Sequence, residues 1–168
     1  MVRKWEAAPE TLHKVNFDGA LYSHSRKGDV GVLLRDHRGQ VAGAVAFIVN
    51  LVSDACVIEA IAAVKALEFA TQMGCRKIVL EGDSRIVSNC LTKKDEVLSN
   101  IGPIIHDGRR WVRKFDICMI EHTKREGNVA AHSLAQYSLQ LNSDRFWVED
   151  FPDSITLAVL MDIASLNK

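Results

Sequence analysis

Lys14-Val-Asn-Phe-Asp-Gly-Ala20 is the stretch from which the rest of the chain is read. Val15 and Phe17 alternate with Asn16 and Asp18, the period of a strand with one face on a core. Val15 and Phe17 therefore share one face, and Asn16, Asp18 and Ala20 share the other. Gly19 frees the backbone where such a strand ends. A carboxylate midway along it faces water, a partner or a cation, because an unpaired buried carboxylate is costly. Asp-Gly is also a common turn dipeptide. The choice between a turn and a site depends on which other acids the chain brings to Asp18.

Outward from this strand, the polar segment Tyr22 to Gly28 reads as a turn. Val30 to Arg35 and Gln40 to Asn50 then flank Asp36-His-Arg-Gly39, a hairpin signal. Three strands with short links make an antiparallel meander. At about Asp54 the pattern becomes helical, from Ala55 to Met73, with Gly74 as the stop. Arg76 to Glu81 is a short apolar strand and Ser84 to Leu91 a short helix. Asn100 to Phe115 is a helix that tolerates Pro103 in its first turn, and Asp116 to His122 is a fifth strand. A helix from Glu126 to Leu141, capped near Asn128, and a last helix from Ser154 to Leu166 complete the order.

The order βββαβααβα plus a C-terminal helix predicts an α/β fold, a mixed five-stranded sheet flanked by helices. Residues 1–13 are expected to be a lead-in or linker, 14–142 the domain, and 143–168 a C-terminal extension whose helix packs on it. The last helix carries Ile155, Leu157, Leu160, Met161 and Ile163, a surface that packs on its own domain or docks a partner.

A chain of 168 residues suits one domain with a sizeable core. Lys+Arg and Asp+Glu both number 21, so any nucleic-acid site must be a local patch. The strongest patch is Arg109-Arg-Trp-Val-Arg-Lys114. Trp111 and Phe115 at i, i+4 would pack inward, leaving cations that can steer a phosphate backbone. Cys56, Cys75, Cys90 and Cys118 are far apart with no C-x-x-C pair, against a zinc site or disulfide scaffold. No transmembrane-length apolar run or signal-peptide core is present, so the expected location is intracellular, cytoplasm or nucleus.

Glu59 is a second acid of interest. Lys65, Glu68 and Gln72 mark the solvent stripe of its helix, and Glu59 lies roughly opposite, among small residues. Its plain reading is an acid favoured by the helix N-terminus. Asp83 follows Lys-Ile-Val-Leu-Glu-Gly at the handover from a buried strand to a helix; its plain reading is an N-cap. Ends of strands are also where open α/β sheets place their sites. Three converging carboxylates would repel unless a cation held them, and an all-oxygen set suits Mg²⁺ or Mn²⁺.

Asp18 in Asn-Phe-Asp-Gly-Ala, Glu59 in Ile-Glu-Ala, Asp83 in Glu-Gly-Asp-Ser and the run Arg125-Glu-Gly-Asn-Val-Ala-Ala-His-Ser-Leu-Ala135 occur in one order. Together they resemble the ribonuclease H family, in particular type 1-like domains of plant proteins and plant retroelement polyproteins. The likeness covers about residues 5–142, and Phe146-Trp-Val-Glu-Asp-Phe-Pro152 is also similar to the plant branch. It implies an endonuclease that cuts the RNA strand of RNA/DNA hybrids with two Mg²⁺ or Mn²⁺ ions at Asp18, Glu59 and Asp83. One ion would activate water, and the other would stabilise the leaving 3′ oxygen. RNA would be chosen through its 2′-hydroxyls, with Glu59 touching both metal and sugar. The implied nucleic-acid contacts are Asn16, Gly19, Ala20, Ser84, Arg125 and Asn128, and a larger parent polyprotein is an expected context.

The acid set departs from the family's pattern at one position. His132 stands where a fourth aspartate is usual, as a catalytic and metal residue in the carried-over set. A neutral imidazole ligates without negative charge and suits Mn²⁺ better than Mg²⁺. It also reads plainly as a locally hydrogen-bonded helix histidine. Reduced activity is expected, and the alternative function is a catalytically weak or inactive nucleic-acid-binding module of the same fold. From another class, a protein-interaction domain that keeps only the scaffold would show no affinity for metal or nucleic acid.

Overall fold

The computed structural model describes residues 4–22, 24–52 and 54–168. Residues 1–3 of the lead-in, Ser23 of the polar link and Ser53 lie outside the described residues. The alternating stretch forms β1 (His13–Tyr22), which pairs antiparallel with β2 (Lys27–Arg35); β2 pairs antiparallel with β3 (Val41–Asn50). At the β2–β3 turn Asp36 Oδ1 accepts from the backbone N–H of Arg38 and Gln40 at 2.9 and 3.0 Å. Gly39 supplies the left-handed residue, at φ 83°. On its other side β1 pairs in parallel with β4 (Lys77–Gly82), and β4 with β5 (Ile117–His122).

Among the described residues the sheet has six strands in the order β5-β4-β1-β2-β3-β6, one more than the five expected. The addition is β6 (Arg145–Val148), antiparallel to β3. Four residues are too few for an alternation to be read from sequence. Tertiary contacts hold them instead: Phe146 meets Phe47 edge-on at 5.4 Å, while Trp147 turns to the other face beside Tyr137 at 6.1 Å.

The helices are α1 (Ala55–Gln72), α2 (Arg85–Thr92), α3 (Gly102–Val112), α4 (Val129–Ser138) and α5 (Thr156–Leu166). The helix expected from Glu126 opens as a 3₁₀ turn, Arg125–Gly127, and becomes α-helical only at Val129. The one expected over 100–115 is shorter, although Phe115 past its end is still buried.

Two cores sandwich the sheet. Val15, Phe17, Val30 and Val32 face α1, whose Ala62, Ala63 and Ala66 allow close approach. Leu33, Ala44 and Ala46 face Ala130 and Leu134 of α4, with Ile155 and Val159 from the C-terminal segment. Two glycines fix how near the helices come. A Cβ on Gly19 would lie 2.6 Å from the Ile58 carbonyl oxygen, and one on Gly31 would lie 2.5 Å from that of Ala131. Gly31 is the ladder partner of Asp18, so both helices are seated at backbone contact beside this acid. Trp5, in the irregular segment before β1, is 2% exposed, and its ring lies 3.8 Å from the Arg35 guanidinium. Among the described residues, no helix is long and apolar enough to cross a membrane.

Candidate active site

Three elements deliver carboxylates to the middle of β1, just past the end of its pairing with β4. Asp18 projects from β1, Glu59 from the second turn of α1, and Asp83 from the link between β4 and α2. One oxygen of each lies within 4.8 Å of the other two. Local chemistry explains how they arrive. Asp54 caps α1 by accepting from Cys56 N at 2.7 Å, which sets the phase that turns Glu59 toward the sheet. Ser84 caps α2, its Oγ accepting from Val87 N at 3.3 Å. Asp83 is therefore not the cap, and its carboxylate is free to face the other acids.

The cluster is buried and crowded with like charge. Asp18 is 1% exposed. Burial, then the charges of Asp18 and Asp83, push Glu59 up to about 9. Burial, then the charge of Asp83, also raise Asp18, against the lowering effect of His132 and Arg125. Asp18 Oδ1 and Glu59 Oε2 are buried without a hydrogen-bond partner. Arg125 Nε donates to Asp83 Oδ2 at 2.7 Å. His132 Nδ1 lies 2.8 Å from Asp18 Oδ2, and Arg125 Nη1 lies against the imidazole, 3.0 Å from Nδ1 and 3.2 Å from Nε2. One tautomer satisfies both partners: Nδ1–H donates to Asp18, and Nε2 accepts from Arg125.

Asp18, Glu59, Asp83, His132 and Arg125 thus come together. Ala20, half-buried on β1, and Ser84 lie beside them in the chain. Three residues expected to touch nucleic acid are instead enclosed. Asn16 is 0% and Asn128 1% exposed, and both amides are occupied by protein partners. Gly19 is buried under α1, where its N–H favours the charged form of Glu59. These residues support the site from beneath: Trp5, Arg35, Glu81 and Asn128 cover Asn16 on the face that carries Asp18, and α1 covers Gly19 on the other.

Sequence reasoning missed the rest of that support. Lys14 Nζ pairs with Glu81 Oε2 at 3.0 Å, both buried, and Glu81 Oε1 accepts from Asn16. Arg35 and Trp5 both bond Asn16 Oδ1. A signal was present: Lys14 and Asn16 share the face of Asp18, and three polar residues on one strand face need partners.

The strand order, the crossover helices and three acids gathered at the middle of a central strand define a ribonuclease H-like fold. The chain belongs to the Reverse transcriptase-like family, whose sequence profile matches residues 16–138. Among curated proteins no sequence matches it. Among solved structures it is similar to RNase H1 of the halophilic archaeon Halobacterium salinarum NRC-1, at 26% identity and TM-score 0.71, over 76% of this chain and 97% of that one. LC11-RNase H1, isolated from compost by a metagenomic approach and solved in complex with an RNA/DNA hybrid, shares 16% identity and TM-score 0.69, over 76% and 96%. The foamy viral protease-reverse transcriptase, also solved with an RNA/DNA hybrid, shares 14% identity and TM-score 0.65, over 83% of this chain and 22% of that protein. At these identities the last two speak for the fold alone.

Proposed function

We propose that the chain is a metal-dependent endonuclease that hydrolyses the RNA strand of RNA/DNA hybrids. The observation that carries this reading is the convergence of Asp18, Glu59 and Asp83, with two orphaned buried oxygens among them. Such oxygens are unfavourable unless something positive meets them. An all-oxygen set fits Mg²⁺ or Mn²⁺. Bound there, two such ions would supply an activated water and charge stabilisation at the leaving 3′ oxygen.

The chain's own residues do the remaining work. Asp18, Glu59 and Asp83 hold the cations, with His132 as the fourth ligand. His132 also fixes the rotamer of Asp18 through its Nδ1 contact. Arg125 neutralises Asp83 while the site is free and offers its exposed guanidinium to phosphate. Ala20 and Ser84 flank the acids where the RNA strand would pass. The resemblance to one part of a longer reverse transcriptase protein fits a domain within a larger parent chain.

A second reading, a nucleic-acid-binding module with weak or no catalysis, is favoured by one observation. His132 and Arg125 already bond two of the three acids. Cleavage of a labelled RNA/DNA hybrid with Mg²⁺ and with Mn²⁺, using Asp83→Asn as control, separates the two. Cutting by the native chain that the control abolishes is expected. Hybrid binding without cutting under either metal leaves only the binding module.

A further inference from the structure

The hydrogen bonds beneath Asp18 continue past the acids toward both outer segments of the chain. Asn16 is the junction. Its Oδ1 accepts from Trp5 Nε1 at 2.9 Å and from Arg35 Nη2 at 3.1 Å. Its Nδ2 donates to Glu81 Oε1 and to Asn128 Oδ1, each at 3.1 Å. Two donors and two acceptors are thus all used, which fixes the amide's orientation. Asn128 then donates from Nδ2 to the Phe17 carbonyl at 2.9 Å, the peptide group that carries the nitrogen of Asp18. In the other direction Arg35, 1% exposed, donates from Nη1 to Asp162 Oδ2 of α5 at 2.7 Å.

This arrangement is not the one that stability alone favours. Arg35 Nε is buried without a partner, and a buried ion pair is often no more stable than apolar residues of similar volume. A continuous polar path from Asp162 through Arg35, Asn16 and Asn128 to the backbone of Asp18 does what an apolar core cannot. Directional bonds hold a strand at one height and one angle relative to α4, whereas dispersion contacts tolerate sliding. Trp5 adds a flat ring under the guanidinium and an N–H that locks Asn16.

We propose that Trp5, Arg35 and Asp162 are positioning residues for Asp18, acting through Asn16 and Asn128. Trp5 and Asp162 lie outside the span 16–138 matched by the family, so the segments on both sides of that span complete the site. What the positioning serves rests on the nuclease reading above; the linkage itself is a property of the chain without metal.

The test uses Trp5→Phe, which keeps an aromatic ring but removes the N–H together with the volume of the five-membered ring, and Asp162→Asn, which keeps the shape and removes the charge. Val159→Ala, on the same helix and buried but with no side-chain bond in the path, is the control for loss of stability. Two quantities are read on the full chain, well below each melting temperature: the backbone amide shifts of Asp18 and Gly19 without metal, and the Mn²⁺ dissociation constant. Both path variants are expected to move the two amides and to raise the Mn²⁺ constant about 10- to 100-fold, the range typical of groups that orient metal ligands. Val159→Ala is expected to lower the melting temperature and leave both readouts in place. Amides that move no more in Trp5→Phe and Asp162→Asn than in the control overturn the proposal. A native chain that takes up no Mn²⁺ sinks the metal reading, and the amide shifts still decide the linkage.

Discussion

Asp29 shows how one residue sets a pH dependence away from the acidic cluster. It is 2% exposed on β2, and its Oδ1 has no partner. Burial pushes its carboxyl from 3.8 up to about 6, with Ser138 acting in the opposite direction. Between those values the folded chain keeps a proton that the unfolded chain has lost. Stability therefore falls as pH rises through that window and stays lower above it. Asn keeps the shape and cannot ionise. Asp29→Asn is expected to be about 1–2 kcal/mol more stable than the native chain near neutral pH and about equal to it below the window, by urea unfolding at both. A difference that does not change with pH would show that folding does not shift the Asp29 carboxyl. His132 is the second residue with a distinct expectation. Aspartate there adds a fourth oxygen and a negative charge, so His132→Asp should raise Mg²⁺-supported hybrid cleavage at least about tenfold. An unchanged Mg²⁺ dependence would remove His132 from the ligand set.

At the scale of elements, α5 has two faces with opposite consequences. Ile155, in the turn that leads into it, is 0% exposed and Val159 is 2% exposed against β2, β3 and α4, whereas Leu160 is 56% exposed. Ile155→Ala should cost about 2–5 kcal/mol by removing a filled core position. Leu160→Ala should stay within about 0.5 kcal/mol of the native chain in the same thermal scan. Equal effects would mean that the helix is not held by its inner face. The elements also show what was legible beforehand. The alternation in β1 and the helical pattern from Ala55 are long enough to carry their own period, so the meander and α1 could be read from residues alone. The three acids needed the family resemblance to be told from a turn, a helix-start acid and an N-cap. The short β6 could not, because Phe47 and Phe69 of other elements hold it. The enclosure of Asn16 and Asn128 was hidden for a related reason. Their partners Trp5, Arg35 and Glu81 approach only after β1, β2, β4 and the segment before β1 have assembled.

For the whole molecule, the formal net charge is zero, so attraction to a polyanion must come from one side. On the nuclease reading that side is the groove of about 610 Å³ between α2 and α3, where Lys93, Lys94, His106, Arg109 and Arg113 outnumber one acid, Glu96. Arg109 is tied to the Cys90 carbonyl at 2.7 Å and serves to dock α3 on α2. Lys93, Lys94 and Arg113 are exposed. Replacing these three with glutamate should weaken hybrid binding and flatten the plot of log affinity against log salt by roughly 2–3 in slope. Fluorescence anisotropy across a salt series reads this, and an unaltered slope would place the nucleic-acid track elsewhere.

The position of β6 bears on how this chain tolerates being shortened. The stretch matched by the family stops at Ser138, yet the sheet does not end until Val148 returns to lie along β3. A fragment trimmed to that stretch would keep every acid and still strip the cover from Gly43 to Ala46. A flat, small-residue margin with open amide and carbonyl groups invites strands from other molecules to zip onto it. Clumping of such a fragment would come from a bared flank, a fault separate from the loss of Trp5 and Asp162 beneath the acids.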